Sequence, residues 1–105
     1  MSQATGRIVC TDGGHKITAI FMIDGVQRQF IGQLNGATRE FTSMNATIQY
    51  GDLNQLLGQH TFNGLLGPVH ITLHFENSTT ISGSLDVPVE PVSQIVGTGN
   101  WVVTM

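Results

Sequence analysis

The sequence has few charged residues. Only 10% of its 105 side chains are Asp, Glu, Lys or Arg, against about 25% in an average soluble protein. Four basic residues stand against seven acidic ones, which argues against a nucleic-acid partner held by phosphate contacts. No apolar run approaches the roughly 18–20 residues of a membrane helix. We therefore expect neither nucleic acid nor a membrane as a partner.

Cysteine is nearly absent as well. Cys10 is the single cysteine, so a disulfide scaffold is excluded, and a lone cysteine in a strand is typical of a small buried hydrophobe. The N-terminal residues lack the basic start and apolar stretch of a secretory leader. The expected compartment is the cytoplasm, unless a leader has been removed.

Uncharged polar residues take the place of the missing charge. The chain contains 12 threonines, 8 glutamines and 13 glycines, with a hydrophobic share of 40%. This length suits one domain with one core. We predict a single β-domain over 1–105, with many turns.

Apolar and polar residues alternate along most of the chain, which indicates strands with one buried face. In the segment Lys16–Asp24 the alternation ends at Asp24-Gly25, a strong signal for a two-residue hairpin turn. That turn places Phe21 opposite Arg28 in the following strand. Asn35-Gly36 is a second signal of the same kind.

A second hairpin is predicted between Val69–Glu76 and Thr80–Val87. A three-residue loop, Asn77–Thr79, places Phe75 opposite Ile81 and matches the apolar faces of the two strands. The predicted apolar face carries Val69, Ile71, Leu73, Phe75, Ile81, Gly83, Leu85 and Val87.

The segment Phe41–Tyr50 also alternates, with Met44 on the apolar face and Ser43 facing away. The only helical signal follows, near 53–57. Asp52 can cap it, its leucines have helical spacing, and Gly58 can end it.

These patterns predict an all-β antiparallel fold of about seven or eight short strands, closed as a small barrel or flattened as a sandwich. Two observations favour the barrel. Glycines lie within strands, where they mark bends or a close approach of backbone, and the last strand, Ile95–Met105, runs to the final residue. The glycines are Gly32, Gly83, Gly97 and Gly99; Trp101, Val103 and Met105 share one face of the last strand.

A faint internal repeat accompanies this pattern. Ile17-Thr18-x-x-Phe21 recurs as Ile71-Thr72-x-x-Phe75, and Gly32-Gln33-Leu34 is echoed by Gly83-Ser84-Leu85. One interpretation is two halves related by a pseudo-twofold axis. The other is that amphipathic strands of similar composition resemble one another by chance.

No catalytic or metal-binding motif stands out. His70 and His74 share a strand face but lie about 13 Å apart at strand spacing, too far to hold one ion. A G-x-S-x-G elbow is missing, and the carboxylates are scattered. The sequence therefore predicts no catalytic residue, no metal and no cofactor, and it favours a non-enzymatic role without deciding against an enzyme.

One candidate site is a ligand cavity anchored by Arg28, which the register places on an apolar face. An unpaired buried charge is costly, so Arg28 needs a buried carboxylate, an anionic ligand group or access to water. The alternative, which the small interior of an eight-stranded barrel favours, is that the same aromatic side chains simply form the core. The candidate lining is Arg28, Phe21, Phe30, Tyr50, Phe75 and Trp101.

A second candidate is the opposite face of the first hairpin, which carries Ile20, Met22 and Ile31. Unless the connector around 88–94 or the turn at 53–57 covers it, this patch is an oligomer interface. The leading hypothesis is a non-enzymatic interaction or structural domain that forms a homo-oligomer. The alternative is a carrier or small barrel enzyme with an apolar cavity for an apolar or anionic ligand.

Overall fold

Eight antiparallel strands close into a barrel, which confirms the all-β prediction and decides against the flattened sandwich. The computed structural model describes residues 2–104. Around the barrel the order is β1-β2-β3-β8-β5-β6-β7-β4, and β4 pairs with β1 to complete the circle. The strands are β1 (Ser2–Thr11), β2 (Lys16–Ile23), β3 (Val26–Leu34), β4 (Phe41–Tyr50), β5 (Gly58–Leu66), β6 (His70–Phe75), β7 (Thr80–Ser84) and β8 (Ser93–Thr104).

The strand order divides into two Greek keys. Strands β4-β1-β2-β3 form one and β8-β5-β6-β7 form the other, each with the 4-1-2-3 arrangement of that motif. The sequence echo falls on equivalent positions of the two keys. Ile17 pairs with Gly32 in the β2–β3 hairpin, and Ile71 pairs with Gly83 in the β6–β7 hairpin. The pseudo-twofold interpretation of the echo therefore agrees with the topology.

The first hairpin has the predicted register, with Phe21 opposite Arg28. The interpretation of Asn35-Gly36 as a second hairpin turn was wrong, because β3 pairs with β2 and β8 and never with β4. Residues 35–40 instead carry the chain across one end of the barrel, where the Thr38 N–H donates to the Gly14 carbonyl. Residues 85–92 make the equivalent crossing in the second key.

The opposite end of the barrel, here called the lower end, holds the Asp24-Gly25 turn, the β6–β7 loop and a one-turn 3-10 helix, Leu53–Leu56. This helix, here called the cap turn, matches the helical turn expected near 53–57. Asp52 caps it by accepting from the Asn54 N–H, and Leu56 is fully buried against the core.

The second hairpin has three loop residues, as predicted, but they are Glu76–Ser78. The Phe75 N–H donates to the Thr79 carbonyl, and Leu73, not Phe75, lies opposite Ile81. The shift of two residues keeps the apolar faces matched and places Thr79 in the interior.

Strand ends differ from the expectations in several places. Val69 and Val87 lie beyond the ends of β6 and β7 and are exposed, although both were expected on the apolar face. Strand β8 begins at Ser93, two residues before the predicted start at Ile95. Met105, expected on the face of Trp101, lies outside the described residues.

A bulge reverses part of the β4 alternation. Gly6 of β1 lies opposite Ala46, but Ile8 lies opposite Ser43, so β4 has one residue more than β1 between these pairs. Ser43 is consequently buried and Met44 is 55% exposed, the reverse of the prediction. An extra residue in one strand exchanges the faces of all residues on one side of it.

The buried apolar side chains form one cluster inside the barrel. Its aromatic centre is Phe30, whose ring lies 5.6 Å from Phe62, 4.8 Å from Phe75 and 5.3 Å from Trp101 between centroids. Strand glycines make room for these rings. A Cβ atom on Gly97 would lie 2.6 Å from Phe62 Cζ, and one on Gly32 would lie 3.0 Å from the Phe30 ring. The prediction that these glycines mark a close approach is confirmed.

Candidate functional site

Arg28 faces the interior near the lower end of the barrel. It lies in β3 between Phe21 of β2 and Val103 of β8, and its side chain is partly buried. Within residues 2–104, its Nε and Nη1 atoms are buried without a hydrogen-bond partner. Buried N–H groups of a cation are costly without a partner, so these two atoms call for an acceptor.

Thr79 is the other described residue with such an atom. It is 1% exposed, and its Oγ1 has no partner among the described residues. Its backbone is satisfied, because the Thr79 N–H donates to Asn77 Oδ1 and the Thr79 carbonyl accepts from Phe75. Sequence reasoning missed Thr79 because it assigned the residue to the loop. The internal repeat was the available signal. Thr79 lies opposite Phe75 in the second hairpin, as Arg28 lies opposite Phe21 in the first.

The five aromatic residues predicted to line a cavity are all buried, as Phe21, Phe30, Tyr50, Phe75 and Trp101 are between 0% and 7% exposed. The structure brings three of them together: Phe75 and Trp101 lie 6.3 Å apart and both contact the Phe30 ring. Grooves of about 350–450 Å3 lie on the outer surface of residues 2–104, and these are not lined by the five aromatic residues or by Arg28.

Two sets of hydrogen bonds at the lower end join the β6–β7 loop to its neighbours, one to the cap turn and the other to β5. Gln55 Nε2 donates to the Asn77 carbonyl and Asn77 Nδ2 donates to the Gln55 carbonyl, at 2.5 and 3.0 Å. His60 contacts Glu76 Oε1 through Nδ1 at 2.8 Å and the Leu57 carbonyl through Nε2 at 2.6 Å. Since both partners of the ring are acceptors, both bonds form together only when both nitrogens carry a proton.

Glu76 is the acidic member of this group. Desolvation raises the pKa of Glu76, but the hydrogen bond from His60, backbone hydrogen bonds and the charge of His60 outweigh it, and the pKa lies below its ordinary value of 4.5. A carboxylate that accepts hydrogen bonds is stabilised in its charged form.

The outer side of the first hairpin forms an apolar surface. Met22 is 61% exposed, whereas Ile20 and Ile31 are partly buried. The register extends this surface across Gln29 to Val102 of β8, which is 44% exposed. We call Ile20, Met22, Ile31 and Val102 the hairpin face.

The remaining candidate groups are dispersed. Burial raises the pKa of Cys10 to about 11, with a further increase from the nearby Glu40 charge, so the thiol is protonated at neutral pH. His70 and His74 lie exposed on the outside of β6. Among the described residues, no three His, Cys, Asp or Glu side chains gather as metal ligands would.

One outer groove lies over β5, β6 and β8. Its volume is about 440 Å3, and its walls include Leu65 and Val96, each about half exposed. His74 and Gln94 supply polar groups at its edge. This groove is separate from Arg28 and Thr79, which face the interior.

Comparison with known proteins adds no further constraint. The chain matches no protein-family model, no curated protein and no solved structure. Within the described part of the chain, no helix has the length and apolar character needed to cross a bilayer.

Proposed function

We propose that this chain is a non-catalytic binding domain and that two copies associate through the hairpin face. The observation that carries this proposal is the exposure of Met22, at 61%, beside Ile20 and Val102 on one continuous sheet surface. Contiguous apolar side chains on the outside of a folded domain are typical of contact surfaces.

The closed barrel supports association through side chains. Every strand has two hydrogen-bonded neighbours, so an incoming chain finds no unpaired strand edge to extend. The side chains between the apolar residues are uncharged: Thr18, Gln27, Gln29 and Asn100. Removing uncharged side chains from water costs less free energy than removing charged ones. An uncharged face that packs against its own copy also avoids repulsion between like charges.

A non-catalytic role agrees with the state of the reactive groups. Cys10 is buried with a raised pKa, which disfavours the thiolate needed for nucleophilic attack. The imidazole of His60 contacts a carboxylate and a backbone carbonyl, so both ring nitrogens are engaged.

Sedimentation velocity over a range of concentrations tests the self-association. We expect a dimer for the wild type and an increase of at least about tenfold in its dissociation constant for Met22→Lys, since burying an ammonium group costs more than about 1.4 kcal/mol. Met44→Lys is the matched control, because Met44 is similarly exposed, at 55%, but lies on β4. A monomeric wild type at high concentration, or equal weakening by both substitutions, would contradict the proposal.

A second candidate function is a barrel that binds a small ligand at its lower end. The unpartnered Nε and Nη1 atoms of Arg28 favour it, because the described part of the chain supplies no acceptor for them. Native mass spectrometry of the protein purified from its host tests this candidate. If this candidate is right, the protein retains a small molecule on purification or gains mass after incubation with small carboxylates or apolar compounds. Only the mass of the chain alone in every sample would contradict it.

A further inference from the structure

The buried, unpartnered side-chain polar atoms of residues 2–104 all lie at one end of the barrel. They are Arg28 Nε and Nη1 and Thr79 Oγ1. Both residues border the lower end: Arg28 is two residues into β3, and Thr79 immediately precedes β7. Buried polar groups in native proteins nearly always have partners, so orphaned polar atoms on two walls at the same end indicate a missing acceptor.

The two residues occupy equivalent positions in the two Greek keys. Arg28 lies opposite Phe21 in the first hairpin, and Thr79 lies opposite Phe75 in the second. In the closed order, three strands separate β3 from β7 in either direction, so the two side chains project into the interior from opposite walls.

The aromatic cluster closes the site on the interior side of these two groups. Phe30, the next inward-facing residue after Arg28, contacts Phe75, the neighbour of Thr79, at 4.8 Å between ring centroids. The interior above this contact is occupied by buried side chains. Eight strands enclose a space just wide enough for side chains or one small ligand. A ligand held by both groups would therefore enter from the lower end and remain there.

We propose that Arg28 and Thr79 together bind the carboxylate group of a small molecule at the lower end of the barrel. This inference depends on the second candidate function, a ligand-binding barrel, and identifies its site and ligand class. The guanidinium donates to the carboxylate oxygens through Nε and Nη1, and the Thr79 hydroxyl donates to one of them.

The charge of the site favours a carboxylate over a phosphate. Arg28 supplies one positive charge and Thr79 supplies a neutral donor, which matches a singly charged, planar anion. Glu76 and Asp24 also lie near this end, in the β6–β7 loop and the first turn, and Glu76 is held by His60. These carboxylates would repel a phosphate dianion, and the single positive charge of Arg28 would not neutralise it.

The wild-type protein offers a direct readout of this site. The chain has three arginines, Arg7, Arg28 and Arg39, so a nitrogen-15 spectrum of the arginine Nε–H groups contains few signals. We expect titration with acetate or benzoate, at constant ionic strength with NaCl, to shift the Arg28 signal with saturation. Arg39 is exposed, and its signal should stay unchanged because the ionic strength is constant.

Variants assign the two donors. We expect Arg28→Gln to abolish saturable carboxylate binding and Thr79→Val to weaken it about tenfold, the usual value of a hydrogen bond to a charged group. Arg39→Gln is the matched control and should bind as the wild type does. If Arg28→Gln fails to fold, Arg28→Lys keeps the charge without the planar fork and should bind at least about tenfold more weakly.

Each contrary result has a separate meaning. An unsaturable shift of Arg28, equal binding by Arg28→Gln and the wild type, or tighter binding of inorganic phosphate than of acetate overturns the proposed site. If Thr79→Val binds acetate as tightly as the wild type does, Thr79 is not part of the carboxylate site and the proposal that both residues bind it is wrong. A retained apolar ligand that is indifferent to Arg28 also overturns this site but leaves the second candidate function standing. Self-association through Met22 is decided separately by sedimentation.

Discussion

At the scale of single residues, the interior depends on glycines as much as on the rings that they accommodate. Gly99 faces inward on β8, where a methyl group would overlap the Ile31 carbonyl oxygen and lie 2.7 Å from Phe30 Cζ. Gly36, in the crossing between β3 and β4, has no atom within 4 Å of the corresponding position. The same substitution therefore has opposite consequences at the two sites.

We predict that Gly99→Ala destabilises the barrel by about 1–3 kcal/mol, because the added methyl group forces the backbone of β3 and the Phe30 ring to move. Gly36→Ala should leave the stability unchanged or raise it by less than about 1 kcal/mol, since it restricts only the unfolded chain. Urea unfolding of both variants measures the difference. Equal stability of Gly99→Ala and the wild type would contradict this prediction, because it would show that β3 and β8 accommodate the methyl group without a loss of stability.

Individual positions could be predicted where turn chemistry set the register. Asp24-Gly25 was enough to place Arg28 opposite Phe21 and inside the barrel. Thr79 and Ser43 could not be placed in this way. The left-handed residue of the second hairpin is Ser78, with φ of 74°, and no Gly or Asn marks that position, so the loop was assigned one residue too late.

At the scale of elements, the lower end is held by contacts between segments that are distant in sequence. His60 at the start of β5 contacts Glu76 in the β6–β7 loop, and Gln55 of the cap turn exchanges hydrogen bonds with Asn77. Alternation patterns predicted the strands on either side. They could not predict which loop would meet which, because that depends on the closure of the barrel.

The lowered pKa of Glu76 leads to a pH-dependent contribution to stability. A carboxyl group whose folded pKa lies below its unfolded value stabilises the fold above that unfolded value, 4.5, and loses this contribution as the pH falls through the folded pKa. We predict that Glu76→Gln lowers the thermal midpoint at neutral pH and that the difference from wild type disappears in acid. Thermal melts at several pH values measure it.

Glu90→Gln is the control for this experiment, because Glu90 is exposed in the crossing before β8. Its removal should change the melting profile little at any pH. A Glu76→Gln difference that persists or grows in acid would contradict the role assigned to the His60 contact.

At the scale of the whole molecule, the two Greek keys share one core. Phe30 belongs to the first key, and its three ring contacts, Phe62, Phe75 and Trp101, all belong to the second. The keys are joined at two seams, β3–β8 and β4–β7. The all-β class and the strand number could be predicted from alternation, whereas the pairing of β3 with β8 could not, because no short turn connects them.

We predict that neither half folds alone. A fragment of residues 1–51 leaves β3 and β4 with unpaired edges and exposes the Phe30 ring, so it should show no cooperative thermal unfolding. An equimolar mixture with residues 52–105 should recover the strand signal and cooperative transition of the intact chain, measured by circular dichroism. Cooperative unfolding of the first fragment by itself would show that its key holds an independent core.

Because its single thiol is buried, the protein carries a built-in probe for transient opening of the barrel wall. Cys10 points into the barrel, and its protonated sulfur reacts slowly with labelling reagents while the wall is intact. Such reagents reach it when β1 separates from a neighbour, so the rate of labelling counts openings of the wall. No probe has to be introduced, and the same sulfur reports on the wild type and on every variant that keeps Cys10.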